Sequence, residues 1–327
     1  MLHRPNGNPS EVFPLVTVIA LCFNHERFLQ ECLESISAQT HTGFQLIVTD
    51  DCSKDASADL IQEWLTTNRP DAIFIRHAQN MGLCKTLNEA LAHATGEFIS
   101  MIATDDAWES DKIEKQIVAA RERGSSVAVV YSDASRMDES GVRIANDFIE
   151  AHTPGCTRPS GRVFTELANR NFIPAMATMI RRHALLNVGL YDERLTYEDY
   201  DMWLRLAARY DFAYCPAIVA RYRIVSTSIV RTVFAQPTAR HHYTLYLICR
   251  KWLPSGHLNT AQRKSWADRL WGAAYGLYSL GDVRATACLW QAVRYKKNPR
   301  ALLLAIASSV GITRQRAIWL TSFYRKA

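Results

Sequence analysis

Two hydrophobic patterns alternate along the first 131 residues. Short continuous apolar runs, of the length of buried strands, are followed by segments in which apolar residues recur every three or four positions. The runs predict strands at residues 16–21, 44–48, 72–75, 98–102 and 127–131. The spaced segments predict helices at residues 28–36, 60–65, 83–94 and 110–123. Strands that alternate with helices in this way indicate βαβ units and an α/β fold with a mostly parallel central sheet flanked by helices.

The pattern changes after Ser132. It predicts a hairpin at 137–148 that turns at Glu139-Ser140-Gly141, a loop at 153–161, a strand at 175–180, a helix at 196–209 and one or two strands at 212–222. Beyond Pro237 the pattern is almost wholly helical, in four or five segments that break at Pro254, Gly281, Pro299 and Gly311. We therefore expect an α/β domain over residues 14–235 and a helical C-terminal extension over residues 236–327.

Composition narrows the class of protein. Apolar residues make up 48% of the 327 positions and charged residues 21%, which is typical of a globular protein. No apolar run reaches the roughly 18 residues that a membrane-spanning helix needs, and the first residues lack a secretory signal pattern. The eight cysteines are scattered singly, which favours a reduced, cytoplasmic protein over a disulfide framework or a zinc site.

The charge is distributed unevenly. Residues 240–327 hold fifteen lysine and arginine residues, only two acidic ones and five of the eight tryptophans. Basic helices with tryptophan and leucine can lie on an anionic membrane surface, which would make the protein peripheral on the inner face of the membrane. A helical subdomain with buried tryptophans and solvated arginines explains the same composition equally well. Nucleic acid is the less favoured partner, because no recognised binding module is present.

Polar clusters follow three of the predicted strands. The first strand is followed by Asn24, the second by Asp50-Asp51 and the fourth by Asp105-Asp106. In a parallel sheet these strand ends share one edge, where ligands bind. Adjacent carboxylates can hold a divalent cation such as Mg²⁺ or Mn²⁺, although either pair could also serve as a helix cap.

Six segments, in this order, resemble the family 2 glycosyltransferases of the GT-A fold. They are residues 16–24 (VTVIALCFN), 32–40 (CLESISAQT), 44–55 (FQLIVTDDCSKD), 80–88 (NMGLCKTLN), 96–106 (GEFISMIATDD) and 197–206 (YEDYDMWLRL). The resemblance covers about residues 14–225 and does not extend to residues 240–327.

The resemblance implies an enzyme that moves a sugar from a nucleotide-diphosphate sugar to an acceptor hydroxyl with inversion, in the synthesis of a cell-surface polysaccharide or glycolipid. The acceptor would be a saccharide or a lipid-linked saccharide. The implied roles are Leu21 and Asn24 lining the nucleotide pocket, Asp51 holding the base, Asp105 near the ribose, Asp106 on a divalent cation, Lys85 at the donor phosphates and Asp199 as general base.

The chain departs from the family pattern at several positions. Cys52 stands where glycine is common, so this turn must form without the freedom of glycine at positive φ. Val225 replaces a histidine that many relatives carry after Tyr222-Arg223, which weakens the case for a histidine contact to the phosphates or metal. Glu198 and Asp201 flank the implied base, and both remain open to a structural role.

Three other functions compete with glycosyl transfer. A catalytically decayed protein that only binds nucleotide sugars would keep the same acidic residues. A nucleotidyltransferase is disfavoured because residues 20–24 lack a glycine-rich phosphate loop. A dinucleotide oxidoreductase is disfavoured because the same place lacks G-x-G-x-x-G.

Overall fold

The structure is a computed structural model that describes residues 14–225 and 237–312. The chain forms two compact units. Of the described residues, the first comprises 14–163, 171–191 and 205–224, and the second comprises 164–170, 192–204, 225 and 237–312. Two short segments from within the expected α/β domain thus belong to the second unit. The expected boundary at residues 235 and 236 lies outside the described residues.

The first unit is built on one mixed sheet. Its strands are β1 (Val16–Cys22), β2 (Phe44–Asp50), β3 (Ile73–Arg76), β4 (Phe98–Ala103), β5 (Ala107–Trp108), β6 (Val127–Met137), β7 (Arg143–Ala145), β8 (Thr178–Arg181) and β9 (Asp211–Arg223). Their order is β3-β2-β1-β4-β8-β6-β9-β5, with β7 paired to β6. The pairs β3·β2, β2·β1, β1·β4 and β6·β9 are parallel, and the pairs that involve β5, β7 and β8 are antiparallel.

Eight helices accompany these strands in the described chain up to residue 225. They are α1 (Leu29–Ser37), α2 (Ser57–Asn68), α3 (Leu83–Ala92), α4 (Lys112–Arg123), α5 (Phe148–His152), α6 (Phe164–Asn169), α7 (Arg182–Val188) and α8 (Asp199–Ala207). Strands β1, β2 and β4 are buried at nearly every position, because a parallel strand covered by helices on both faces has no solvent side. Burial of these strands on both faces explains the continuous apolar runs in the sequence.

The five strands predicted in the first 131 residues and the four helices between them are all present. Strand β6 is longer than predicted, since it continues through the buried polar residues Ser132, Asp133 and Ser135. Those residues carry no apolar signal, and Asp133 and Ser135 are held in the sheet by pairing with β9. The strand predicted at 175–180 is instead a short 3-10 turn followed by β8. Strand β5 was not predicted, because its two residues are a strand only through pairing with β9.

The second unit contains four helices in its described C-terminal part. They are α9 (Ala239–Trp252), α10 (Thr260–Ser279), α11 (Ala285–Lys296) and α12 (Pro299–Ser309), and they end or begin close to the predicted breaks. Thr238, Asn259 and Asn298 cap helix N-termini with their side chains, which satisfies backbone N–H groups that have no partner inside the helix. None of the helices in residues 14–225 and 237–312 combines the length and the apolar character needed to cross a bilayer.

The tryptophans of the second unit divide between two environments. Trp252 and Trp266 are buried, and the indole N–H of Trp266 donates to the Ala168 carbonyl oxygen over 2.7 Å. Trp290 is 42% exposed, while Trp319 lies outside the described residues. Two of the five tryptophans in residues 240–327 therefore serve as core, as one interpretation of the composition expected, and Trp290 presents an exposed aromatic side chain.

Candidate active site

The carboxyl ends of β1, β2 and β4 meet at one edge of the sheet. Leu21 on β1 pairs in register with Thr49 on β2 and with Ala103 on β4. The loops that follow these three strands therefore start side by side. The polar clusters around Asn24, Asp51 and Asp105-Asp106 share this edge, as the sequence predicts.

Asp105 and Asp106 form the tight turn between β4 and β5. The turn closes with a hydrogen bond from the Asp106 N–H to the Ala103 carbonyl oxygen over 3.0 Å. Asp106 is buried, and its Oδ1 accepts the backbone N–H of Arg223 on β9 over 2.8 Å. Burial raises the pKa of the Asp106 carboxyl well above its ordinary range, the neighbouring Asp105 charge raises it further, and the bond from Arg223 opposes both. Ionisation of both carboxyl groups is thus unfavourable, and a bound cation would relieve this cost.

The Arg223 side chain holds this turn against two other parts of the first unit. Its Nε donates to the Asp105 carbonyl oxygen over 2.8 Å, and its guanidinium also reaches the carbonyl oxygens of Asp138 and Glu139 in the β6–β7 hairpin. The remaining nitrogen pairs with the carboxylate of Glu31 on α1. Arg223 is only 2% exposed, so it acts as an internal brace of the acidic turn. No motif in the sequence pointed to a role for Arg223 at this turn.

His25 is a second residue at this edge to which the sequence analysis gave no role. Its Nδ1 lies 3.0 Å from the Thr104 hydroxyl, and its Nε2 lies 3.8 Å from Asp105 Oδ2. The histidine side chain is 22% exposed, so its ring borders the carboxylate pair while still reaching solvent. Its position directly after Asn24, in the first polar cluster, is the signal that could have identified it.

Asp51 organises the loop that leads into α3. Its carboxylate accepts the backbone N–H groups of Met81 and Gly82 over 2.6 and 2.9 Å, and Oδ1 also lies 2.8 Å from His77 Nδ1. Gly82 adopts φ 83°, a conformation that favours glycine. Asp51 therefore fixes the first turn of α3, where Lys85 presents an exposed side chain that makes no ion pair with any other described residue.

The loops after β1 and β2 are joined to each other. Asn24 Oδ1 accepts the Lys54 N–H over 2.7 Å, and the Asn24 N–H donates to the Ser53 hydroxyl over 2.9 Å. Asn24 and Cys52 both adopt positive φ, at 58° and 64°. The left-handed conformation is tolerated by asparagine but strained for cysteine, so the turn forms without glycine at a cost in stability. Leu21 is half-buried, and its carbonyl oxygen accepts the Thr104 N–H.

Asp199 belongs to the second unit, where it is the first residue of α8. Its Oδ1 accepts the Tyr200 N–H over 2.6 Å, and an acidic residue in a first helical turn is favoured by the helix dipole. Asp199 is half-buried. Burial, and then the Asp199 charge, raise the pKa of the adjacent Glu198 from 4.5 to about 8. Glu198 therefore holds its proton to a higher pH than an ordinary carboxyl group does.

Asp201 has a structural role. It is completely buried and forms an ion pair with Lys251 of α9, with 2.6 Å between Lys251 Nζ and Asp201 Oδ1. The neighbouring apolar residues Met202, Leu204 and Leu206 are buried as well.

The acidic turn fits a divalent cation as a partial site. Among residues 14–225 and 237–312 no group of three or more histidine, cysteine or acidic side chains is arranged to hold a metal ion. Mg²⁺ and related hard cations are commonly bound through one or two carboxylates together with substrate phosphates. Two adjacent carboxylates, one of them with a raised pKa, match that pattern and leave the remaining ligands to the substrate and water.

Comparisons with known proteins identify the family and the fold of the chain. The model of the family described as glycosyl transferase family 2 matches residues 17–193, more than half of the chain. The chain belongs to this family. Over 218 residues it is 28% identical to the putative teichuronic acid biosynthesis glycosyltransferase TuaG of Bacillus subtilis, an alignment that covers 66% of this chain and 81% of TuaG.

Two solved structures share the fold. TarS residues 1–349 from S. aureus, in complex with UDP-GlcNAc, superimpose with a TM-score of 0.62 and 16% identity, covering 88% of this chain and 82% of that one. The mannosyltransferase PcManGT from Pyrobaculum calidifontis, in complex with GDP-Man and Mn²⁺, gives a TM-score of 0.58 and 19% identity over 94% and 83%. The chain has the GT-A fold, as its sequence motifs predict.

Proposed function

We propose that this protein transfers a sugar from a nucleotide-diphosphate donor to an acceptor hydroxyl with inversion at the anomeric carbon. The observation that carries the proposal is the turn at Asp105-Asp106, which follows β4 at the edge where β1 and β2 also end. In a chain of glycosyl transferase family 2, this edge is the place where a donor diphosphate and a cation would meet.

The donor would be bound by residues of the first unit. Asp51 would accept a hydrogen bond from the base, since a carboxylate has about four lone-pair sites and three are used by Met81, Gly82 and His77. Leu21 and Asn24 would line the nucleotide pocket. Asp105, the more exposed carboxylate of the turn, would face the ribose. Lys85 would contact the phosphates from the exposed first turn of α3.

A divalent cation, Mg²⁺ or Mn²⁺, would be held by Asp106. When bound, it would supply positive charge where the leaving nucleoside diphosphate becomes more negative. The similar fold of PcManGT, which was solved with GDP-Man and Mn²⁺, supports this assignment. Within the chain itself, Arg223 fixes the backbone of the turn so that Asp106 stays in place without rearrangement.

Asp199 would be the general base that removes the proton from the attacking acceptor hydroxyl. The raised pKa of Glu198 supports this role, because a proton held by Glu198 would leave the negative charge of the pair on Asp199. A single base and a direct displacement give a product of inverted configuration. Orientation of donor and acceptor in one site would supply much of the rate enhancement.

The acceptor would be a saccharide or a lipid-linked saccharide of a cell-surface polysaccharide or glycolipid. Similarity to TuaG, which is named for teichuronic acid biosynthesis, favours a polysaccharide. We place the reaction in the cytoplasm on the inner face of the membrane, with the basic C-terminal helices as the contact to anionic lipids. Acceptor specificity would come from the variable residues 137–195.

A donor screen tests the proposal. UDP-, GDP- and dTDP-sugars are added with and without Mn²⁺, and the shift in melting temperature reports binding to the folded state. We expect one nucleotide class to stabilise the protein in a Mn²⁺-dependent way, and Asp106→Ala to lose that dependence. Asp59→Ala, which removes an exposed carboxylate of the same unit, is the control and should behave as the wild type.

Transfer itself is measured as nucleoside diphosphate release and by NMR of the anomeric product. Asp199→Asn should bind donor normally and lose transfer by at least about 100-fold, the usual size of a general-base contribution. Full activity in this variant would refute the base assignment. Donor binding without turnover in the wild-type protein, with acceptors of both classes supplied, would favour the catalytically decayed alternative.

A further inference from the structure

A basic cleft lies within the second unit, outside the candidate active site. It has a volume of about 420 Å³ and is bordered by the first turns of α10 and the last turn of α11. Five cationic side chains line it, and the only acidic side chain in the lining is Asp268. The cations are Arg263, Lys264, Arg294, Lys296 and Lys297.

Most of this positive charge is not compensated. Lys296 pairs with Asp268, whereas the other four cations are exposed and form no ion pair with any residue in the described part of the chain. Elsewhere in the second unit, Arg284 pairs with Asp282, Lys251 with Asp201 and Arg194 with Asp192, whereas Arg240 and Arg250 of α9 are exposed cations that do not line the cleft. The cleft is therefore a place where four uncompensated cations lie together.

Helix electrostatics explain only half of this arrangement. Arg294 and Lys296 lie in the last turn of α11, where the helix dipole favours cations. Arg263 and Lys264 lie near the start of α10, where the dipole disfavours cations and where the first turn carries no acidic residue. Stability of the helix gives no reason for placing two cations there. An anion that binds between the two helix ends does give one.

Helix α12 follows these cations in the chain and carries exposed apolar surface. It begins two residues after Lys297, and its side chains Leu302, Leu303 and Ile306 are 41%, 66% and 45% exposed, as is Val310 directly after the helix at 69%. Basic side chains followed by an exposed apolar helix face are typical of segments that lie in a membrane interface. A soluble phosphate would contact only the cations, and the exposed apolar face of α12 would then have no binding partner to explain it.

We propose that the cleft between α10 and α11 binds the phosphate headgroups of anionic lipids while the exposed apolar side chains of α12 enter the bilayer interface. This inference rests on the membrane location in the proposed function, and it assigns that location to particular residues. It does not depend on the transfer chemistry, because the cleft and the acidic turn belong to different units.

Vesicle co-sedimentation tests the site. The full-length protein is mixed with phosphatidylglycerol vesicles or with phosphatidylcholine vesicles at low salt, and the bound fraction is measured. Each basic residue near an anionic surface contributes about fivefold to the partition coefficient. The double variant Lys264→Gln/Arg294→Gln should therefore bind phosphatidylglycerol about 30-fold more weakly, and phosphatidylcholine should bind little wild-type protein.

The control removes the same charge elsewhere in the unit. Arg240→Gln/Arg250→Gln changes two exposed cations of α9 and should leave vesicle binding within about twofold of wild type. Equal losses in the two double variants would mean that net charge acts without a site, and would overturn the proposal. Absence of binding to phosphatidylglycerol would overturn it as well.

A second variant separates lipid from soluble phosphate. The double variant Leu303→Ser/Ile306→Ser should bind phosphatidylglycerol vesicles more weakly than the wild type. Its affinity for inorganic diphosphate in solution should equal that of the wild type. A cleft that binds inorganic diphosphate in solution but sediments with no vesicle would identify a soluble ligand and reject the lipid. Donor turnover with a soluble acceptor should be normal in every variant, so a failure of this inference is distinguishable from a failure of the proposed transfer activity.

Discussion

Replacement of Arg223 by methionine gives the sharpest test of how the acidic turn is held. Methionine keeps much of the volume of the side chain but removes the bonds to the carbonyl oxygens of Asp105, Asp138 and Glu139, together with the pair to Glu31. The backbone N–H that binds Asp106 remains. The substitution therefore tests the guanidinium and leaves the strand pairing of β9 intact.

The expected loss of stability follows from these contacts. Breaking a buried ion pair costs about 3–5 kcal/mol, and each buried acceptor left without a donor costs about 1–3 kcal/mol. Glu31 is 37% exposed, so water can replace part of its pairing. We therefore place the loss near 3 kcal/mol. Donor affinity should fall about tenfold or more, since the Asp105 backbone loses its fixed position.

Urea unfolding followed by tryptophan fluorescence measures the loss of stability. Titration with the donor found in the screen measures the donor affinity. Arg221→Met is the matched control, because Arg221 pairs with the same Glu31 carboxylate over 2.8 Å but does not bond to the acidic turn. It should cost about 1 kcal/mol and leave donor affinity unchanged. Equal effects of the two variants on both quantities would refute the bracing role of Arg223.

Three further predictions concern other positions. Cys52→Gly should stabilise the protein by about 1 kcal/mol relative to Cys52→Ala in urea unfolding, because φ 64° is strained for any residue with a Cβ; an equal effect of the two variants would contradict the strain. Lys251→Met should cost about 3 kcal/mol, since it removes the cation that pairs with buried Asp201, and Lys251→Arg should retain most of the stability. The pKa of Glu198 is raised from 4.5 to about 8, so the folded state holds a proton that the unfolded state has released. Stability should therefore fall by on the order of 2 kcal/mol as the pH rises from about 4.5 to 8, and Glu198→Gln should flatten this slope in melting curves recorded across that range; an unchanged slope would contradict the shift.

Local pattern accounted for much of the fold. The apolar runs at β1, β2 and β4 could be predicted as strands, because strands buried on both faces have few polar positions that interrupt the run. The helix breaks at Pro254 and Gly281 could be predicted, because proline and glycine change the preferred backbone conformation at their own positions. Short elements such as β5 and α5 were not predicted, since partners distant in the chain decide whether two to five residues become regular structure.

The sequence by itself determined the family, the fold class and the shared edge at which Asn24, Asp51 and Asp105-Asp106 lie. Parallel strands follow from the βαβ alternation, and the carboxyl ends of parallel strands lie at one edge of the sheet.

Only the tertiary structure decided what surrounds those residues. Arg223 reaches Asp105 across 118 positions of chain, and Asp51 proved to be held by Met81 and Gly82, contacts that no local pattern encodes. The same holds for the basic cleft of the second unit, which brings the start of α10 together with the end of α11. Hydrogen bonds and charge clusters of this kind depend on distances in space, and a linear pattern of apolar and polar positions reports only which face of an element is buried.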